Sequence, residues 1–267
     1  MGRFPPARLP THAVADGLTA ATGLVVFAGL AADVCRVHAG LEHGPLNVVP
    51  LLDLHGEATL PAWYSSILLF IAALLLTPIA WIKTVRRERF RRHWVVLAGL
   101  FLLLSMDEAI SVHERIAWPI RRILEPDGPF YYGWVIPGLI LVLGLGVAYA
   151  QFLLHLPAST RRRVVLAGAL FVSGALLLEM IGGAYEARHG NETGAYRALS
   201  ACEEILEMVG ATVFVHALVE HIRVEWGGIT LVLSDTPATE RADARAATPK
   251  VRPARPAPGA DAMPASS

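Results

Sequence analysis

Apolar residues run almost unbroken through six stretches of the chain, around residues 17–35, 61–82, 94–112, 130–155, 164–186 and 203–224, and polar residues gather between them. At a rise of 1.5 Å per residue, each stretch can cross a hydrocarbon layer of ~30 Å as an α-helix. A bilayer offers the backbone no outside hydrogen-bond partner, so helices are what such isolated runs must form. The pattern therefore predicts an all-α, polytopic membrane bundle of six transmembrane helices. Arg3 and Arg8 precede the first run as in a signal peptide, but no small-x-small site leads into a soluble domain. Ala32-Asp33-Val34 before Cys35 also fits lipoprotein cleavage poorly, so the first run reads as a retained helix.

Charge orients the bundle. Lys83, Arg86, Arg87, Arg89, Arg91 and Arg92 fall between the second and third runs, and Arg161, Arg162 and Arg163 between the fourth and fifth. With both ends placed on the same side, 17 basic residues lie there and six on the other. The positive-inside rule makes the richer side cytoplasmic, with both termini inside and with loops 36–60 and 187–202 outside. A plasma membrane, such as a bacterial inner membrane, is the expected location.

Composition agrees with the pattern. Of 267 residues, 54% are hydrophobic and 17% charged, with zero formal net charge; mean hydropathy is +0.47. That balance supplies no basic surface for nucleic acid, and the bilayer is the partner it implies. Two cysteines, Cys35 and Cys202, allow at most one bridge and no thiolate metal site. Residues 1–226 read as the transmembrane domain. From 227 the chain is rich in Ala, Pro, Thr and Arg, a composition with no core to bury, and reads as a disordered cytoplasmic tail. Residues 115–124 alternate Ile116, Trp118, Ile120 and Ile123 with three arginines, which predicts a short interfacial helix. Trp63, Tyr64, Tyr131, Tyr132 and Trp134 read as interface anchors.

The chemistry lies in carboxylates within or beside the apolar runs. Asp107, Glu108 and Glu114 belong to the third, Glu179 and Glu186 to the fifth, and Glu203, Glu204 and Glu207 to the sixth. Asp107, Glu179 and Glu207 lie about 20, 22 and 26 Å from the cytoplasmic ends of their helices, one depth in the outer half of the membrane. Trios at i, i+4, i+7 (Asp107/Ser111/Glu114, Glu179/Gly183/Glu186, Glu203/Glu207/Gly210) put each set on one helical stripe. Asp53, His55 and Glu57 precede the second run on the same side, near His38, His43, His113 and His189. Glu114, Glu186, Glu203 and Glu204 sit close enough to run ends for simple solvation, whereas Asp107, Glu179 and Glu207 lie further inside apolar sequence and are costly to bury. Their bland explanation is pairing with Arg115, Arg188 or Arg197, or protonation.

Several carboxylates sharing a low-dielectric site need a cation, a shared proton or water. A divalent metal answers this directly: iron, manganese or zinc for carboxylates with imidazole, calcium for oxygen alone. The candidate ligands are Asp107, Glu108, Glu114, Glu179, Glu186, His189, Glu203, Glu207, Glu57 and His113. Glu186-Ala-Arg-His189 has the Glu-x-x-His spacing of di-iron bundles, but chance supplies such a match often and the second copy is absent. Glu203-Glu204 resembles the opening of the intramembrane CAAX-protease motif without its following Arg and later His helix. Ser105-Met106-Asp107-Glu108 resembles part of the alkaline ceramidase-type zinc hydrolase pattern without the closing His-x-x-x-His. Neither family is adopted. His155 and His216 are too little for a haem site. The sequence thus reads as a membrane protein with a metal-dependent activity, oxidative or hydrolytic, on a lipid-soluble or outer-compartment (periplasmic) small molecule. The alternatives are a cation- or proton-coupled carrier or channel subunit and a non-catalytic assembly protein.

Overall fold

The computed structural model describes residues 11–40 and 47–229, and within them the protein is an integral membrane bundle of six long apolar helices. Helix α1 spans Thr11–Ala39, the short α2 Val48–Leu51, α3 Leu60–Val85, α4 Arg91–Ile110, α5 Val112–Leu124 and α6 Val135–His155. Helix α7, Ala158–Val172, runs through a π-helical turn at Ser173–Leu178 into α8, Glu179–His189, making one continuous rod; α9 spans Gly194–Trp226. The tail expected to be disordered lies outside the described residues from 230 on, as does His43.

Burial ranks the helices. In its most apolar window α9 is 56% buried and α3 44%, against 11% for α4 and α6, so α3 and α9 form the centre and the others wrap it. Helix α3 packs on α4 and α9, α7 on α9, and α1 on α9 and α3. Two apolar clusters fill these contacts. One joins Leu76, Ile79, Trp94, Phe152, Val215 and Leu218 toward the arginine-rich loops; the other joins Val25, Leu54, Leu68, Leu69 and Met208 toward the opposite end. Leu54, from the loop before α3, seats against Gly29 of α1, where a Cβ would fall 2.6 Å from it.

Lipid does not drive helices together by the hydrophobic effect, so close backbone approach matters more. At Gly210 of α9 an added Cβ would stand 2.7 Å from the Phe171 backbone nitrogen and 3.0 Å from the Ala167 carbonyl oxygen of α7. Gly174, in the π-turn, meets the Glu203 carbonyl oxygen at 2.7 Å in the same sense. The π-turn and this contact together set where Glu179, the next residue, leaves the rod. Gly210→Ala should therefore force α7 and α9 apart and cost about 1–3 kcal/mol. Gly168→Ala, where a Cβ meets nothing within 4 Å, should be neutral. Thermal unfolding of the two detergent-solubilised variants checks this; equal melting temperatures would refute the packing argument.

The third apolar run ends earlier than its composition suggests. Ser111 adopts a left-handed conformation (φ 51°), α4 stops at Ile110 and α5 leaves in a new direction. The i, i+4, i+7 stripe Asp107/Ser111/Glu114 is thus broken: Asp107 lies on α4 and Glu114 on α5. Its physical reason is local capping. Asp107 accepts the backbone N–H of His113 at 2.7 Å, satisfying a donor at the start of α5, and the Ser111 hydroxyl donates to Glu57.

The arginine-rich loop 86–90 and the tight α6–α7 connection lie at one end; the loops before α3, after α5 and between α8 and α9 lie at the other. Cys35 and Cys202 are free, exposed thiols at that second end. We expect both to react with a membrane-impermeant maleimide on intact cells. Arg89→Cys, in a chain with Cys35 and Cys202 changed to Ser, should not; its labelling from outside would invert the topology.

Candidate metal centre

The second end of the bundle holds a cavity of about 1160 Å³, open to its surroundings and lined by α4, α5, α6, the α7–α8 rod and α9. Eight acids face it: Glu57, Asp107, Glu108, Glu114, Glu179, Glu203, Glu204 and Glu207. Glu203, Glu204 and Glu207 lie deep among the helices, yet all three remain partly accessible through the cavity.

At the mouth, Glu57, His113 and Glu114 each offer a ligand atom within 4.8 Å of the others. Glu57 comes from the loop before α3, the other two from the first turn of α5. His113 Nδ1 lies 3.0 Å from Asp107 Oδ2, which leaves Nε2 free to take a cation. Burial alone would lower the His113 basicity; the Asp107 hydrogen bond and charge, with the charges of Glu179 and Glu57, outweigh it and raise it. From Glu57 the acids continue inward. Glu108 and Glu204 lie near enough to Glu57 to feel its charge, and Glu207 near enough to feel those of Glu204 and Glu108. Glu203 and Glu179 face each other across the cavity from α9 and α8. Trp134 Nε1 donates to Glu179 at 3.0 Å. The Ser65 hydroxyl, fully buried beside Glu108, makes no well-formed hydrogen bond.

A family profile matches residues 18–222. The chain belongs to the family Domain of unknown function (DUF8692). No curated protein and no solved structure matches it. The DUF8692 segment contains the whole cavity lining, from His55 to Phe214.

Not every acid marked by the sequence joins this group. Glu186 accepts a hydrogen bond from the Tyr132 hydroxyl at 2.5 Å, and Tyr132 in turn meets Tyr196 at 2.8 Å. Burial and that bond to Glu186 push the Tyr132 phenol far above its ordinary value, so it stays a donor. His189 stacks on Tyr185, and neither it nor Glu186 lines the cavity. His216 bonds the Ala15 carbonyl and Thr19 of α1, while His155 packs on Phe90, so these two histidines serve different contacts. The apolar pattern gives Asp33 no role and makes Trp134 an interface anchor; nothing in the helical spacing of either shows its partner.

Asp33, Asp53 and His55 form a second group with metal-like spacing, but arginines already occupy it. Arg36 bonds Asp53 at 2.5 Å; Arg197 reaches Asp33 at 3.0 Å and Asp53 at 3.4 Å. His55 bonds Asp53 through Nδ1 and the Arg197 carbonyl through Nε2 at 2.7 Å, leaving no ring nitrogen for a metal. This network ties α1, the loop before α3 and α9. Burial alone would raise the Asp53 carboxyl, but the hydrogen bonds from His55 and Arg36 and the Arg36 charge hold it well below the ordinary carboxylate range. A carboxylate depressed in the folded state stabilises above its unfolded pKa and loses that contribution as pH falls through the folded value. Asp53→Asn should cost about 2 kcal/mol at neutral pH, and its difference from wild type should narrow below about pH 4. Melting curves at both pH values test this; a difference that held constant into acid would contradict it.

Proposed function

We propose that this protein is a metal-dependent membrane enzyme, oxidative or hydrolytic, in which Glu57, His113 and Glu114 hold a divalent cation at the cavity mouth. The observation that carries this is the convergence of their three ligand atoms within 4.8 Å, with the imidazole backed by Asp107. Metal-binding histidines characteristically give their other nitrogen to a carboxylate in this way. Two carboxylates and an imidazole favour iron, manganese or zinc over calcium. Three protein ligands also leave room for a substrate, as catalytic metal sites do. A metal held there supplies Lewis acidity. Glu108 and Glu204, next to Glu57, are placed to take up and return protons. The proposal puts this mouth on the outer side of a plasma membrane, such as a bacterial inner membrane.

A cation- or proton-coupled carrier is the second reading, favoured by the string of acids from Glu57 through Glu108 and Glu204 to Glu207. That string stops at Glu207. Beyond it, toward the arginine-rich end, Tyr149 is the one polar side chain of the lining, and its hydroxyl already bonds the His93 carbonyl at 2.9 Å. An ion leaving Glu207 in that direction would meet leucine, valine and phenylalanine, which is why the enzyme reading is preferred.

Elemental analysis by mass spectrometry of protein purified without chelator should find a metal in near-stoichiometric amount. His113→Ala and Glu57→Gln should lose most of it, and Asp107→Asn should weaken it about 10- to 100-fold. Glu220→Gln is the control, because Glu220 pairs with Arg223 at 2.7 Å and does not line the cavity. Metal-free wild type, or metal undiminished in both His113→Ala and Glu57→Gln, would defeat the proposal.

A further inference from the structure

The cavity continues well past the acids. Along α4 its lining runs from Asp107 and Glu108 back through Leu104 and Phe101 to Leu97, and on α6 from Gly138 to Phe152 and Leu153. On α6 the lining from Val142 to Leu153, apolar but for Tyr149, spans ~16 Å. A hydrocarbon core of ~30 Å holds two leaflets, so one lipid chain occupies ~15 Å. The apolar part of the cavity matches that length.

Its walls also open toward the bilayer. Helices α4 and α6 meet at the arginine-rich end, where Phe90, His93 and Trp94 pack on Tyr149 and Phe152; above that contact the cavity lies between them. Away from that aromatic contact α4 and α6 make no extended backbone contact, and half-exposed Leu141 lines the cavity between them, so the wall is open there. Helix α5 covers the polar end. Glu114, Ala117, Trp118, Arg121 and Arg122 form the one helical face that lines the cavity, while Ile116 and Ile123 stay exposed on other faces. Gly146 of α6 and Gly168 of α7 line the void, and a Cβ at either would meet nothing within 4 Å.

We infer that the cavity binds one long-chain lipid amphiphile, reached sideways from the membrane between α4 and α6, with its hydrocarbon chain along Leu104, Leu145 and Phe171 and its polar end at the acids. The carboxylates outnumber Arg121 and Arg122 at that end and so disfavour an anionic head, while a hydroxyl, ester or amide head can hydrogen-bond to them. As the substrate of the metal site this ligand rests on the function proposed above; as the occupant of the cavity it does not.

The probe is hexadecanol carrying a diazirine in its chain, photolysed with the full-length protein in phosphatidylcholine vesicles and mapped by peptide mass spectrometry. Label at Leu145 and Phe171 should saturate and be competed by unlabelled hexadecanol, but not by hexadecanoate. Label at lipid-facing Val147, which is 82% exposed, should do neither. Gly146→Leu and Gly168→Leu, on different helices, should each lose most of the cavity label. Gly144→Leu, outside the lining and equally free of neighbours, should retain it. Cavity label that fails to saturate, or that survives in both filling variants, overturns the inference, and equal competition by hexadecanoate overturns the uncharged head. Metal content separates the two proposals: filling variants should keep their metal while losing the label, and Glu57→Gln the reverse. Label without metal in wild type would sink only the metal reading, and metal without label only this one.

Discussion

The cost of placing carboxylates inside a membrane bundle governs this structure. Each acid must find a cation, a proton or water, because a low-dielectric surrounding returns none of the hydration it removes. The cavity is the structural answer: eight acids face one connected space, so water or a cation can reach all of them. The packing follows from that need. Helices α3 and α7 both close on α9, whereas α4 and α6 touch through aromatic contact at a single end.

At both ends of the bundle charged groups form pairs. At the arginine-rich end, Lys83 bonds Glu88 and Glu225, and His221 lies 2.9 Å from Glu225 while stacking on Trp94. At the other end Arg36 and Arg197 neutralise Asp53 and Asp33. These groups join helix termini and loops, as structural ion pairs do. Around Glu57, Glu108, Glu204 and Glu207 no such partner is supplied by a lysine or arginine hydrogen bond among the described residues. The imbalance is therefore local, and it coincides with the cavity that a ligand could enter.

The six spans were legible because an apolar run of bilayer length permits few alternatives; the structure holds one long helix at each, starting later than expected for Val135–His155 and earlier for Gly194–Trp226. Helical rise alone suggests that Asp107, Glu179 and Glu207 share one depth, and all three face the cavity. What spacing could not show is which acid meets which base. His113 reaches Asp107 because Ser111 turns left-handed, a conformation that a serine rarely adopts and that no periodicity announces. Glu57 belongs to a loop, whose path depends on Leu54 docking against Gly29 and on the Asp53 network. Of the three arginines available for pairing, Arg197 alone meets acidic partners among the described residues, again through loop geometry. Helix-scale regularities thus survive in the sequence, whereas the contacts that define chemistry depend on bends and loops between helices.

The glycines divide along the same line as the helices. Gly174 and Gly210 let backbones touch, and a methyl group at either would strike a main-chain atom. Gly146 and Gly168 have space where a side chain would go, in a bundle whose α3–α9 centre is closely filled. In lipid, a wall-lining position gains nothing from being small unless the space beside it is used, since a leucine there would add dispersion contacts at no exposure cost. The close-approach glycines hold α7 against α9 and thereby fix Glu203, Glu207 and Glu179 relative to one another. The open ones lie on the side where α6 stands clear, below the acids. A rigid face that positions charge and a hollow face that leaves volume are what a site needs when its ligand carries both a polar group and a long apolar chain.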